Sequence, residues 1–224
     1  MRYWRLLRWA LLVSSGLLIV LVYAPALTGG FVFDDVPNIV RNSHIAQVDS
    51  FQSAWQAGFT NMSGPLGRPV AMLTFAVNVY FTGLDPWWMK LTNLAIHLLN
   101  TGLVFLLAIR LVPLLSRSPL DMADARWLAV AIALIWAIHP LNLTSVAYII
   151  QRINSLATLF SLLAILSYLR ARMATYPRQG AVPNHSILPP SAYYGFFLTL
   201  CYFNSDYYNR YRNICFTIYQ RLPV

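Results

Sequence analysis

The 224-residue sequence predicts an all-α, polytopic integral membrane bundle of four to five transmembrane helices, with a short interfacial helix in the first outer loop. Three observations carry that prediction. Hydrophobic residues make up 58% of the chain and charged residues only 10%, outside the range of an ordinary soluble domain. Uncharged runs of membrane-spanning length recur along the sequence. The basic residues, 15 Arg and one Lys, fall between those runs, which is the pattern of membrane orientation and of headgroup or phosphate contact. A nucleic-acid partner is excluded because no polar face gathers them.

Residues 1–8 form a basic cytoplasmic amino terminus with Arg2, Arg5 and Arg8, and 9–33 is an uncharged first membrane helix with its exit turn. Ala24-Pro25-Ala26 keeps a signal peptide open as the alternative reading of that segment. Residues 34–90 make an outer loop that opens on the acidic pair Asp34 and Asp35. Within it Phe51, Ala54, Trp55 and Phe59 recur at helical spacing, predicting a short helix on the membrane surface. The stretch 61–67 reads as a loop by its Asn, Gly and Pro content, and 69–84 is uncharged but too short for a full span, so it is expected to be interfacial or re-entrant.

Residues 91–170 hold membrane helices two to four: 91–109, a run from 127 that His139-Pro140 interrupts, and 153–169. Proline removes a backbone donor and clashes with the preceding turn, so the third helix is expected to stop near Ile138. A tight, partly buried corner then occupies 141–152. Residues 171–190 are a cytoplasmic Pro-rich loop, and 191–224 an incomplete fifth helix and an atypical tail. The closing NSDYYNRYRNICFTIYQRLPV has no amphipathic period and reads as a changed frame or a truncation.

Arg2, Arg5, Arg8, Arg110, Arg117, Arg126, Arg170, Arg172 and Arg178 fall on one side of these spans, and Arg41, Arg68, Lys90 and Arg152 on the other. The positive-inside rule then places the amino terminus in the cytoplasm. The acidic loop and the His139 corner share the periplasmic or lumenal face of a bacterial inner membrane or an endoplasmic reticulum. Cys201 and Cys215 have no metal or redox spacing and indicate no compartment.

An ionisable group at membrane depth costs about 2.5 to 3.5 kcal/mol on insertion scales, so it faces a cavity or a partner. Asn93, His97 and Asn100 lie on one helical face and form a polar stripe aimed at the bundle interior, either as interhelical hydrogen bonding or as a ligand wall. The chain has seven acidic residues and no Glu, so the adjacent Asp34 and Asp35 concentrate scarce negative charge at the edge of a span. Neighbouring side chains point in different directions, so a reactant meets one carboxylate while the other serves structure or a cation. Two carboxylates without a third ligand do not define a metal site, so no metal ligands are assigned, and a divalent cation stays open as the cofactor. Arg152, isolated at the outer end of a span, reads as a lipid-phosphate ligand or as a cation snorkelling to the headgroups, and Arg68 has the same ambiguity. No Gly-rich phosphate loop, serine triad or zinc signature is present.

FVFDDVPNIVRN after a first membrane helix, then GRPVAMLTFAVN, NLAIHLLN and HPLNLTSVAYIIQR, occur here in order. Over about residues 1–172 the chain thereby resembles the amino-terminal membrane region of large-loop, GT-C type glycosyltransferases, namely the transmembrane and tetratricopeptide-repeat O-mannosyltransferases and their bacterial relatives. The resemblance implies, for the full-length form, transfer of a sugar from a polyprenyl-phosphate carrier to a protein hydroxyl on the non-cytoplasmic side, with the 224-residue chain expected to be that enzyme or an inactive fragment of it. It implies Asp34 or Asp35 as the general base or acceptor-orienting carboxylate, and Arg68, His97, His139 and Arg152 as donor-phosphate or cavity residues. The partners it implies are the polyprenyl-phosphate donor, a protein acceptor and the lipid bilayer. Where many relatives carry an acidic residue shortly after the His-Pro, this chain has Thr144 and Ser145. The competing reading is a non-catalytic polytopic scaffold or remnant. A transporter would need paired intramembrane charges or an inverted repeat, and neither is seen.

Overall fold

A computed structural model describes residues 2–60, 68–115 and 121–175, with side chains over 13–59, 68–113 and 121–170. The expected loop at 61–67, most of the Pro-rich loop, the fifth helix and the tail lie outside the described residues. The chain runs as α1 (Arg2–Leu27), a π-helical turn (Val36–Val40), α2 (Ser43–Ala46), α3 (Phe51–Thr60), α4 (Pro69–Thr82), α5 (Pro86–Leu115) and α6 (Met122–Ile138). A 3-10 turn (Pro140–Asn142), α7 (Leu143–Ala147), a second 3-10 turn (Ile149–Gln151) and α8 (Arg152–Thr175) complete it, and no strand occurs among the described residues.

The spine is α5. Its start is set by Asp85, whose Oδ1 accepts the Trp87 amide at 2.9 Å, with Pro86 at the first helical position where its missing N–H costs nothing. The helix begins before Lys90 and continues past Arg110, because both its flanks bury against partners. Pro86–Pro113 and Ile149–Arg170 are long and apolar enough to cross a membrane. Met122–Ile138 and Pro140–Ala147 together make a third span if the pair, bent by 53°, is counted as one. Helix α1 is apolar over Val13–Leu27. The described residues thus hold two or three such spans rather than a full set of four to five.

Pro140 produces the bend. Helix α6 stops at Ile138, and His139 turns to extended backbone at φ −62° and ψ 134°. Upstream, α6 buries Ala125, Ala129, Ala133 and Ala137, four small side chains one turn apart, which lets its backbone lie close against α5.

Two cores flank the spine. On one side Ile19, Tyr23 and Leu27 of α1 pack with Leu94, Ala137 and Val146. On the other, residues of α2, α3 and α4, among them Ile45, Ala57, Met72 and Phe75, pack with Met89 and Ile96 of α5 and with Ile149 and Ile153. Helix α4 spans 14 residues, about 21 Å at 1.5 Å per residue, short of the roughly 30 Å hydrocarbon layer. It lies against α3, and Gly58 makes the approach possible: a Cβ there would sit 3.1 Å from Leu73 Cβ and 3.3 Å from the Pro69 carbonyl. The opposite face of α3 carries Phe51, Trp55 and Phe59 outward at 70%, 53% and 60% exposure, a one-sided aromatic stripe.

Candidate functional site

The acidic pair is divided by its surroundings. Phe33 takes the left-handed backbone region at φ 46°, which is uncommon for a bulky residue, and reverses the chain so that the Asp35 amide donates to the Val32 carbonyl at 3.0 Å. Asp34 faces outward and is exposed. Asp35 is fully buried, where its Oδ2 accepts the Val32 amide at 3.2 Å and its Oδ1 accepts the Ile150 amide at 2.7 Å. One carboxylate of the pair is therefore consumed by backbone donors, and the other meets the outside.

Lys90, the single lysine of the chain, closes the loop from the far side. Its buried ammonium donates to the Ala26 carbonyl at 3.2 Å and the Gly29 carbonyl at 2.8 Å, capping the end of α1, and lies within electrostatic reach of Asp35. Phe33 and Tyr148 meet edge to face with ring centroids 5.9 Å apart. The first loop and the corner between α6 and α8 thus occupy the same end of the bundle.

The polar stripe of α5 is buried throughout: Asn93 is 0% exposed, His97 2% and Asn100 2%. Asn93 Nδ2 donates to the carbonyls of Tyr148 at 3.1 Å and Ile149 at 3.3 Å. His97 stacks on Trp136 with centroids 5.3 Å apart and meets Tyr23 edge on at 5.1 Å. Its Nε2 donates to the Ala137 carbonyl at 3.0 Å, and the Tyr23 hydroxyl donates to the same oxygen at 2.7 Å. Asn100 Nδ2 donates to the Ser155 carbonyl at 2.9 Å. The bonds of the stripe are interhelical, tying α5 to the end of α6, to the turn before α8 and to α8 itself.

Arg152 corrects the sequence reading of an edge cation. It is fully buried rather than snorkelling or turned to a lipid phosphate. Its Nε donates to Asn93 Oδ1 at 2.7 Å, Nη1 to the Thr74 carbonyl at 3.1 Å and Nη2 to the Met89 carbonyl at 2.8 Å, and the guanidinium lies 4.4 Å over the Phe75 ring. Four acceptor oxygens, the Thr74 hydroxyl at 3.5 Å included, and an aromatic face substitute for water around a charge that has no carboxylate partner among the described residues, which is how burial becomes tolerable.

His139 stands exposed at the bend, where its Nδ1 accepts the Leu141 amide at 3.3 Å. Arg68 is half-buried at the head of α4, with φ 46° and ψ 55°. No hydrogen bond joins Asp34 to His97, His139 or Arg152. Of the six residues the sequence singles out, Asp35, His97 and Arg152 are engaged in internal bonds, while Asp34 and His139 are presented outward. Sequence reasoning missed Lys90 as a loop clamp and Tyr23 and Tyr148 as partners. The singularity of Lys90 was its only signal.

A divalent cation finds little here. Both oxygens of Asp35 are occupied by amides, and among the described residues no three His, Cys, Asp or Glu side chains converge.

The chain is similar to Protein O-mannosyl-transferase TMTC1 of Homo sapiens, 33% identical over 158 residues, which is 67% of this chain and 17% of that protein. It is 30% identical over 176 residues to Protein O-mannosyl-transferase TMTC4 of Homo sapiens, 73% of this chain and 23% of the relative. Protein O-mannosyl-transferase Tmtc2 of Drosophila melanogaster is 30% identical over 160 residues, 66% of this chain and 16% of the relative. The chain spans about a sixth to a quarter of the length of the curated relatives it matches. No family model matches it, and no solved structure does.

Proposed function

We propose, from the premise that this chain is a homologue of the TMTC protein O-mannosyl-transferases over two thirds of its length, that it serves glycosyl transfer in a membrane. The sugar comes from a polyprenyl-phosphate carrier and goes to a protein hydroxyl on the non-cytoplasmic side. The observation that carries this reading is the division of the acidic pair. Asp35 is bonded by two backbone amides while Asp34 is exposed beside it, so Asp34 is the carboxylate available to an acceptor.

In the step, the acceptor oxygen forms a bond to the anomeric carbon as the bond from that carbon to the carrier phosphate breaks. Asp34 takes the hydroxyl proton, and the phosphate leaves with the electron pair. The Arg68 guanidinium and the Nε2 of His139 are the groups assigned to the departing phosphate, because each residue sits at a helix terminus rather than inside a core. His97 and Arg152 belong to the frame that holds the cavity. The aromatic stripe of α3 rests in the membrane interface, and α1 completes the spans, with the amino terminus in the cytoplasm.

The scaffold reading retains one specific observation in its favour: Asn93, His97 and Asn100 of the α5 stripe each donate an interhelical bond. The test reconstitutes the chain in lipid nanodiscs with radiolabelled polyprenyl-phosphate mannose and a Ser/Thr-rich acceptor peptide. Label transfer that disappears in Asp34→Asn, in protein of parental stability, supports the transferase. Parental transfer by that variant removes Asp34 from the mechanism, and absence of transfer by the parent favours the scaffold.

A further inference from the structure

Asn93 is a small amide placed between a buried cation and a turn of the chain, and both of its ends are engaged. Its oxygen accepts from Arg152 Nε at 2.7 Å. Its nitrogen donates to the Tyr148 and Ile149 carbonyls at 3.1 and 3.3 Å. The next amide along, that of Ile150, donates to Asp35 at 2.7 Å. Arg152 is fixed in turn by the Met89 and Thr74 carbonyls of α5 and α4. A continuous path of bonds therefore leads from the interior of the bundle to the residue beside Asp34.

We propose that Asn93, oriented by Arg152, is a positioning residue for Asp34, acting through the turn at 148–150 and Asp35. The turn is gripped from two faces. Asn93 holds its carbonyls, and Asp35 holds its N–H. A peptide plane fixed at both edges cannot rotate, so the direction of the Ile150 N–H is set by Asn93, and that N–H sets where the buried Asp35 carboxylate lies. Asp34, one residue earlier in a backbone already turned at Phe33, follows. The oxygen of Asn93 alone would satisfy Arg152, and a carboxylate would do so better. The amide nitrogen is what the turn requires. The chemistry therefore calls for Asn at this position and not Asp, although Asp would neutralise the buried cation.

This rests on the reading of Asp34 as the proton acceptor, but its test does not need transfer. In a chain with Cys201→Ser and Cys215→Ser, F33C and Y148C report the approach of the loop to the corner through their rate of linkage by a short bifunctional thiol reagent in nanodiscs. Asn93→Asp keeps the Arg152 contact and loses both donations to the turn. The expected result is a linkage rate at least fivefold lower than the parent, with the melting temperature within a few degrees of it. A parental rate in Asn93→Asp overturns the proposal. The unaltered chain supplies a second reading, because the Ile150 amide must exchange with deuterium as slowly as the interior amides of α5. Fast exchange there overturns the clamp whatever the variant does. A clamp that responds to Asn93→Asp while no form transfers sugar counts against the transferase and leaves the positioning path standing.

Discussion

Tyr23 and His97 donate to the same acceptor, the Ala137 carbonyl, from two helices that enter from different sides. That oxygen is free for them because Pro140 ends α6, and the Leu141 amide, which would otherwise bond it, turns to His139 Nδ1. Two donors on one oxygen make each partly redundant. Tyr23→Phe is expected to cost about 1 kcal/mol, the net worth of one hydrogen bond. Combined with His97→Leu it leaves a buried carbonyl unpaired, so the double variant exceeds the sum of the singles by about 1 to 2 kcal/mol. Thermal unfolding in detergent across the four members of the cycle measures it; strict additivity would show that the shared acceptor couples nothing.

The two aspartates are expected to part in their effects. Asp34→Asn should leave stability within about 0.5 kcal/mol of the parent, as exposed substitutions do. Asp35→Ala strands the Val32 and Ile150 amides and should cost about 2 to 4 kcal/mol. Denaturant titration of both, alongside transfer by both, separates chemistry from folding: loss of transfer without loss of stability belongs to position 34 alone.

Replacing Arg152 by Met removes a buried charge but leaves Asn93 Oδ1 without its donor and takes a second donor from the helical carbonyls of Met89 and Thr74. The expected net loss is about 3 kcal/mol, with Arg152→Lys intermediate because an ammonium lacks the planar fork. If Arg152→Lys matches the parent in thermal unfolding, the fork geometry has no role.

Gly58 offers a steric test of the loop scaffold. Gly58→Val drives a branched side chain into Leu73 and the Pro69 carbonyl, and should cost about 1 to 3 kcal/mol through separation of α3 from α4. Proteolysis within 43–60, faster in the variant than in the parent, is the readout; equal rates would mean that α3 is not seated on α4.

Much of this architecture is legible in the sequence. Aromatics at positions 51, 55 and 59 announce α3, and His139-Pro140 announces the end of α6 at Ile138, whereas α5 starts at Pro86, five residues before the uncharged run that marks it in the sequence. The inward polar stripe follows from helical spacing alone. The fate of Arg152 does not, because two of its acceptors are the backbone carbonyls of Met89 and Thr74, and every residue has such a carbonyl. A side chain that binds backbone leaves no complementary letter in the sequence. The same holds for Asp35, whose partners are the amides of Val32 and Ile150. The sequence could say that two adjacent carboxylates differ, but not which one is buried, since that depends on a turn more than a hundred residues away.

That distance sets a timetable. The bond between Asp35 and Ile150 spans 115 positions, and at 5 to 20 residues per second of synthesis roughly 6 to 23 s separate the emergence of its two ends. Lys90 arrives earlier and can fasten the end of α1 on its own. The acidic loop is thus assembled in two instalments, moored first at its near end and aligned only when the start of α8 has been made. Until then Asp35 lacks the Ile150 amide, so the loop cannot take its final form before the turn at 148–150 is made.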